Sequence, residues 1–201
     1  MLAQVKMGGS VVALAQGGWD DVRAFAELLR VPDHLVAVLG LGTLARAQLR
    51  AGHVEAAAST IAHVSAEADK RGFRGAYIAY QVEAAAEYAL LGLATGNSAA
   101  TRKAAGRAIR GSLRLKHLTR WHTVHAHVLD GGMRWVLGQE HRAERSFARA
   151  QTLAQQYQWH ETLADAARWV AYCCAAAGLD LPAYAPPLAG TARDLSPATE
   201  A

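Results

Sequence analysis

Histidine side chains could carry metal or proton chemistry here, because several of the nine histidines fall in one short segment, at His117, His122, His125 and His127. His122 and His125 are three residues apart, so on a helix they share a face and offer two ligands to zinc or nickel. A third ligand would have to come from another helix, and no His-Glu-x-x-His motif accompanies them. We interpret these histidines as partly exposed helix residues beside Trp121 and predict no metal site. A pH-sensitive patch is the remaining alternative.

The charged residues are unevenly distributed, since no acidic residue occurs from Tyr88 to Leu129. That span contains a basic stripe with helical i, i+4, i+7, i+11 spacing, formed by Lys103, Arg107, Arg110 and Arg114. Like charges at this spacing repel by roughly a few tenths of a kcal/mol per pair. The stripe is interpreted either as a solvated face or as the site of an acidic partner, which could be another protein surface, an acidic peptide or nucleic acid. Nucleic acid is the less favoured partner, because no aromatic residue lies within the stripe to stack on bases.

The motifs of common enzyme classes are missing from the sequence. It has no Gly-x-x-x-x-Gly-Lys-Ser/Thr loop for nucleotide phosphates and no Gly-x-Ser-x-Gly elbow for an acyl nucleophile. The glycine pairs lack the strand-before, helix-after context of a dinucleotide loop. Asp20 and Asp21 are suited to the positive end of a helix dipole. The spacing of the other acidic residues indicates no second cluster that would face them across a pocket. We therefore expect no enzymatic activity, no catalytic residue and no cofactor.

The cysteines and the hydropathy pattern bear on the compartment. Cys173 and Cys174 are adjacent, so a disulfide between them would be strained, and we interpret them as reduced, packed thiols. No apolar run approaches the length that spans a membrane. We expect a cytoplasmic location and no membrane partner.

The elements that position all these residues follow a repeated pattern, clearest in the stretch from Gly131 to Ala150. Gly138 follows Gly131 by seven residues, and a small–large–small series follows Gly138 at offsets of 5, 9 and 12. A small residue lets two helices approach, the turn glycine can adopt positive φ, and the series packs the second helix on the first. Similar series follow Gly17 and Gly52, the latter with Ala57, Ile61 and Val64. A weaker unit near Thr95–Gly96 predicts an altered turn, with Ala100, Ala104 and Ala108 slightly out of phase.

The turns near 17, 52, 95, 138 and 178 are spaced roughly 35 to 43 residues apart, which indicates stacked helix pairs. No sustained alternation of β-branched residues predicts a strand, so the expected fold class is all-α. About nine helices are predicted, at 3–16, 19–30, 33–51, 53–71, 73–94, 97–116, 118–137, 139–157 and 159–177. Residues 1–178 form the predicted repeat domain, and the Pro-rich tail 179–201 is expected to be extended or disordered.

These residues resemble the tetratricopeptide-repeat (TPR) superfamily, in the version of about 40 residues found in helical arms of large bacterial regulators. The motif is degenerate, since His127, Arg134 and Gln155 stand where that family often has Trp, Tyr and Pro. The resemblance implies a right-handed superhelical solenoid of antiparallel helix pairs, with about four and a half repeats. It implies a scaffold that binds partners, and it does not imply catalysis.

In TPR-like folds the first helix of each pair lines an inner groove. That rule, applied to this sequence, selects groove residues from four helices: Arg46 and Arg50; Glu83 and Glu87; His125, Leu129 and Trp135; and Asp165, Arg168, Trp169 and Tyr172. Arginine and aromatic side chains suit a short peptide or a small effector. Trp135 and Trp169 have an alternative interpretation as residues packed between helices.

The sequence supports two main hypotheses about function. The first is a non-enzymatic protein- or peptide-interaction scaffold, as a regulatory domain or fragment of a bacterial signalling or transcriptional regulator. The second is a domain of such a regulator that senses a small-molecule effector; a basic nucleic-acid-binding repeat is a third, less favoured hypothesis. The first predicted helix lacks an evident polar cap, so we expect a further part of a longer protein or a second copy, in a homodimer, to cover it.

Overall fold

The structure of this chain, a computed structural model, describes residues 34–115 and 120–187. These residues form seven α-helices and no strand, so the predicted all-α class is confirmed for the part described. The helices are α1 (His34–Arg50), α2 (Val54–Lys70), α3 (Ala79–Gly96), α4 (Ala99–Arg114), α5 (Arg120–Val136), α6 (Glu140–Tyr157) and α7 (His160–Ala176), with a 3₁₀ turn at Gly75–Ile78 before α3. The two predicted helices at 3–16 and 19–30, and residues 188–201 of the predicted tail, lie outside the described residues.

The helices pack in a regular order along the chain. Helix α1 packs on α2, α3 on α4 and α5 on α6, while α1, α3, α5 and α7 also pack on one another in succession. The first helices of the successive pairs are therefore neighbours, and α3 additionally contacts α7. This arrangement gathers side chains from four helices that are far apart in the sequence.

Glycines end the helices where the repeated pattern predicts turns. Gly52, Gly138 and Gly178 have φ of 80°, 70° and 71°, values that residues with a Cβ atom rarely adopt. The turn before α4 differs, as expected: α3 ends at Gly96 with Asn97 as its C-cap, and Ser98 and Thr101 form a reciprocal capping box. The local turn chemistry of these positions is thus readable from the sequence.

The buried stripe of α4 differs from the predicted one. Ala100 and Ala104 are exposed and Ala108 is only half-buried, whereas the stripe that faces the core consists of Ala105, Ile109 and Ser112. In α2 and α6 the series begins three residues after the first helical residue, but in α4 it begins six residues after it. The altered turn thus leaves about one extra helical turn before the first residue of α4 that faces the core. This extra turn shifts the phase of the buried stripe.

Close helix contacts depend on glycines without Cβ atoms. A Cβ atom at Gly131 would lie 2.6 Å from ring carbons of Phe147, and one at Gly132 would lie 2.7 Å from Cγ1 of Val170. Helix α5 therefore meets α6 and α7 through these adjacent glycines, and the predicted role of Gly131 is confirmed. Phe147 is fully buried in the main hydrophobic cluster, which also contains Leu90, Leu93, Ile109 and Leu129.

The segment after α7 is irregular but packed. The indole N–H of Trp135 donates to the carbonyl oxygen of Asp180 at 2.9 Å, and the Tyr184 ring lies edge-on to Trp135 at 6.0 Å between centroids. Leu181 and Tyr184 pack against the main cluster. Residues 179–187, the first nine of the predicted tail, contain no helix or strand and lie against α5 and α6.

Candidate functional site

Polar side chains from the first helices of the pairs meet in one place, which we call the polar cluster. Each helix supplies residues from one face, because the paired residues are three or four positions apart. The cluster consists of Arg46 and Arg50 on α1, Glu83 and Glu87 on α3, His122 and His125 on α5, and Asp165 on α7. Glu83, Glu87, His122 and His125 are at most 1% exposed. Buried polar groups are costly unless paired, so the pairing inside the cluster decides what it contributes.

The guanidinium group of Arg46 is the centre of the polar cluster. Its Nη1 donates to Oε2 of Glu83 at 3.2 Å, and its Nη2 donates to Oε1 of Glu87 and to Oδ2 of Asp165, each at 2.9 Å. Arg46 therefore joins α1 to both α3 and α7. Its planar fork of donors suits several carboxylates at once, which the point charge of a lysine would not do.

The two histidines connect α5 to the same carboxylates. Nε2 of His125 lies 2.7 Å from Oε1 of Glu87, and Nδ1 of His122 makes a close contact with Oε1 of Glu83. The ring of His122 also packs edge-on against Tyr80, with 5.5 Å between centroids. Both histidines are structural members of a buried network, so their interpretation as partly exposed helix residues is wrong.

The electrostatics of the cluster keep its acids ionised. Burial opposes ionisation of Glu87, but the charges of Arg46 and Arg50 and the hydrogen bond from His125 outweigh it, so the pKa of Glu87 lies far below its ordinary value. The pKa values of Glu83 and Asp165 are lowered in the same way, against their own burial. For Arg46 burial again opposes the charge, yet Glu87, Glu83 and Asp165 together raise its pKa. Apart from the two histidines, two arginines face three carboxylates, and these five charges sum to −1.

These pKa shifts predict that the fold is sensitive to acid. Groups with a lowered pKa in the folded state stabilise it fully above their unfolded values of 4.5 for glutamate and 3.8 for aspartate. That contribution is lost as the pH falls through the lower folded-state values. We expect the free energy of unfolding, measured in urea, to fall steeply between about pH 4.5 and about pH 3.

The variant Glu87→Gln should show a shallower dependence over the same pH range, because one of the shifted carboxyl groups is gone. Glu161→Gln serves as the control, since Glu161 is exposed and lies outside the cluster. An unfolding free energy that is equal at both ends of this range would contradict the prediction.

One side of the polar cluster reaches solvent, and we call it the open end: Arg50, Asp165, Arg168 and Tyr172. The side chain of Arg50 is 27% exposed, those of Asp165 and Arg168 are 40% and 47% exposed, and Tyr172 is 51% exposed. Arg50 and Arg168 lie on either side of Asp165, 3.3 Å and 3.5 Å from its two oxygens. Charged and aromatic groups are therefore presented together at the surface.

Trp169 forms the floor of the open end. The guanidinium group of Arg50 lies 4.4 Å above its ring, and the Tyr172 ring is stacked on it at 5.3 Å between centroids. The indole is only 3% exposed, and its N–H lies 3.3 Å from the carbonyl oxygen of Glu87. A guanidinium group held over an indole ring has a fixed position, so Trp169 preorganises the Arg50 side chain at the open end.

The structure thus brings together most of the predicted groove residues: Arg46, Arg50, Glu83, Glu87, His125, Asp165, Arg168, Trp169 and Tyr172. Trp135 instead contacts the segment after α7, and Leu129 is fully buried in the main hydrophobic cluster. His122 was not among the predicted groove residues. Its spacing of three from His125, matched to the spacing of four between Glu83 and Glu87, is the signal that could have found it.

The basic stripe lies elsewhere. Lys103, Arg107, Arg110 and Arg114 are all exposed along one side of α4, the second helix of its pair. None of the ion pairs between described residues involves them. The molecule therefore has two separate charged features, one between helices and one on an outer face.

The reactive chemistry available to these groups is limited. Burial raises the pKa of Cys174 to about 11, and burial with the nearby Glu87 charge raises that of Cys173 further, so both thiols stay protonated and are poor nucleophiles. The cluster carboxylates stay ionised and cannot act as general acids near neutral pH. Within 34–115 and 120–187, no group of three or more His, Cys, Asp or Glu side chains has a geometry that could hold a metal ion.

Comparisons with protein-family models, with curated proteins and with solved structures find no match for this chain. No α-helix in the described part of the chain combines the length and the apolar character needed to cross a membrane.

Proposed function

We propose that this chain is a non-enzymatic, TPR-like helical-repeat domain that binds a protein or peptide partner at the open end. The repeated turns and the succession of neighbouring first helices support a solenoid of helix pairs. By its resemblance to the arms of bacterial regulators, the domain belongs to a cytoplasmic signalling or transcriptional regulator. In such an architecture the first helices present the binding surface.

The observation that carries this proposal is the composition of the open end. Arginine and tyrosine side chains from α1 and α7 stand exposed over a buried tryptophan, and these residue types dominate the binding energy of protein interfaces. Arg50 also donates to Glu87, yet Arg50 and Arg168 each have more donors than their present contacts use, so each can still pair with a carboxylate. A peptide with an acidic side chain or a free C-terminus fits this surface.

Selection from a displayed library of random linear peptides, followed by titration of the enriched peptides, tests this function. We expect dissociation constants of roughly micromolar magnitude for the wild type, weakened about tenfold or more by Arg168→Ala combined with Tyr172→Ala. Both side chains are exposed, so this variant should fold as the wild type does. Arg149→Ala on α6, an exposed arginine outside the open end, is the matched control and should bind normally.

The absence of enriched peptides, or peptides that bind the double variant as tightly as the wild type, would contradict the proposal. The alternative function is a small-molecule effector sensor. It would be supported by a metabolite that raises the melting temperature of the wild type without a protein partner and has no effect on the double variant.

A further inference from the structure

Helix α4 differs in charge from the two other second helices in the part of the chain that the structure describes. Helix α2 contains three acidic residues and one lysine, and α6 contains two glutamates among three arginines. Helix α4 contains five cationic residues and no acidic residue. Both of these described helices thus carry charges of both signs, as expected of a face in contact with solvent. The face of α4 departs from that rule.

The cations of α4 form a straight row on the exposed side. Lys103, Arg107, Arg110 and Arg114 are separated by four, three and four residues, so the row is about 16 Å long at the helical rise. Their exposed neighbours Ala100 and Ala104 are small and would let the backbone of a partner approach closely. Such a row repels itself, and among the described residues it is not balanced by any ion pair.

We propose that the exposed face of α4 is a second docking surface that binds an acidic segment of another protein. A partner helix with glutamates at matching intervals would place one carboxylate opposite each cation, with bidentate pairing at the three arginines. Charge complementarity of this kind sets the orientation of the partner and speeds its association. The surface is separate from the polar cluster and its open end, so this inference does not depend on the proposed function.

The composition of α4 favours a protein segment over nucleic acid as the partner. Proteins that bind single strands without sequence preference combine cations with aromatic platforms on which bases stack. Helix α4 contains no aromatic residue, and its exposed face consists of cations, with exposed alanines only in its first half. The row therefore combines positive charge with small neighbouring side chains, and both favour the binding of an acidic helix or an extended acidic segment.

Fluorescence anisotropy with two labelled probes tests this inference on the full chain. The first probe is a helical peptide with glutamates at the spacing of the row, and the second is an oligothymidine of roughly 20 nucleotides. We expect the acidic peptide to bind at about 50 mM salt and to weaken strongly at about 500 mM salt. Arg107→Glu combined with Arg110→Glu should weaken binding by at least about tenfold.

The matched control is Arg145→Glu combined with Arg149→Glu on α6, which makes the same change of net charge on another exposed outer helix. Equal losses in both double variants would show attraction to net charge alone and would overturn the inference. No binding of the peptide, or tighter binding of oligothymidine that depends on Arg107 and Arg110, would overturn it as well. Melting curves test whether both double variants are folded. If the α4 variant is not, Arg107→Gln combined with Arg110→Gln replaces it as the milder change.

Discussion

Replacing Arg46 by methionine is expected to lower the free energy of unfolding by about 3–5 kcal/mol, the cost of removing one partner from a buried ion pair. Glu83 and Glu87 would remain buried, each deprived of a positive charge that now lies within 3.2 Å. Methionine fills much of the same volume, so the loss would be electrostatic. A domain typically has only about 5–15 kcal/mol of stability, so this single change should approach the limit of folding. Urea unfolding at neutral pH measures it.

The control for this prediction is Arg71→Met. Arg71 also pairs with a carboxylate, that of Glu67 at 3.1 Å, but both side chains are about 30% exposed. A pair at the surface contributes only about 0–1 kcal/mol, so this variant should differ little from the wild type. Arg46→Lys keeps the positive charge and loses the forked donors of the guanidinium group. We expect its unfolding free energy to lie between those of Arg46→Met and Arg71→Met. Equal unfolding free energies for Arg46→Met and Arg71→Met would refute the importance of the cluster.

A double-mutant cycle shows whether Arg46 acts through Glu87. Arg46→Met in the background of Glu87→Gln should cost less than in the wild type, because the most heavily paired buried carboxylate has been neutralised. Strictly additive effects would mean that Arg46 stabilises the fold mainly by packing, as a long side chain can.

The variant Gly42→Ala is expected to be the most damaging addition of a single methyl group. A Cβ atom at Gly42 would lie 2.6 Å from the backbone nitrogen of Gln81 and 2.8 Å from the backbone carbonyl carbon of Tyr80. No rotamer change relieves a clash with backbone, so α1 would have to move away from α3. Overpacking of this kind costs about 1–3 kcal/mol, and more where the contact is between backbones. Thermal or urea unfolding measures the loss.

Gly92→Ala is expected to have the opposite effect on the stability of the fold. Gly92 lies within α3, and no atom lies within 4 Å of the position that its Cβ atom would take. Alanine stabilises a helix interior by about 0.5–1 kcal/mol relative to glycine, so this variant should be more stable than the wild type. The two glycine-to-alanine changes therefore predict opposite signs. Similar effects at the two positions would show that α1 is not seated on α3 as described.

The contact at Gly42 also bears on the polar cluster. Arg46 lies one helical turn after Gly42, and Glu83 follows the contacted Gln81 by two residues. The close approach of the two backbones is therefore what brings the Arg46 guanidinium within hydrogen-bonding distance of Glu83 and Glu87. We expect Gly42→Ala to lessen the acid sensitivity as well as the stability, because the cluster would be pulled apart.

Helix positions and turns in the described part of the chain could be predicted from the sequence because they depend on neighbouring residues. All seven described helices agree with predicted ones to within a few residues, apart from α3, which begins at Ala79 rather than near residue 73. There a 3₁₀ turn at Gly75–Ile78 precedes the helix, and Gly72 and Gly75 both take positive φ. The glycine pattern alone does not reveal how many residues such a connection uses. The phase of α4 was missed for the same reason.

The residues of the polar cluster could be named from the sequence, but their relationship could not. Repeat spacing assigned Arg46, Glu87 and Asp165 to one surface, yet it predicted an exposed groove and not a buried network. Whether such side chains face solvent or each other depends on how closely the helices approach, and therefore on contacts such as that of Gly42 with Gln81. His122 shows the same limit, since it joins the cluster only because α5 packs on α3.

The all-α class of the described residues, the glycine turns and the basic stripe of α4 could be predicted from the sequence, since each depends on residues within one or two helical turns. Which of the charges form ion pairs depends instead on how the helices pack. Arg46 and Asp165 are 119 residues apart and meet at 2.9 Å only because four helices stack in succession. A salt bridge requires two side chains within about 4 Å, and a small change in helix separation or rotation is enough to break it. No local pattern specifies a distance with that accuracy.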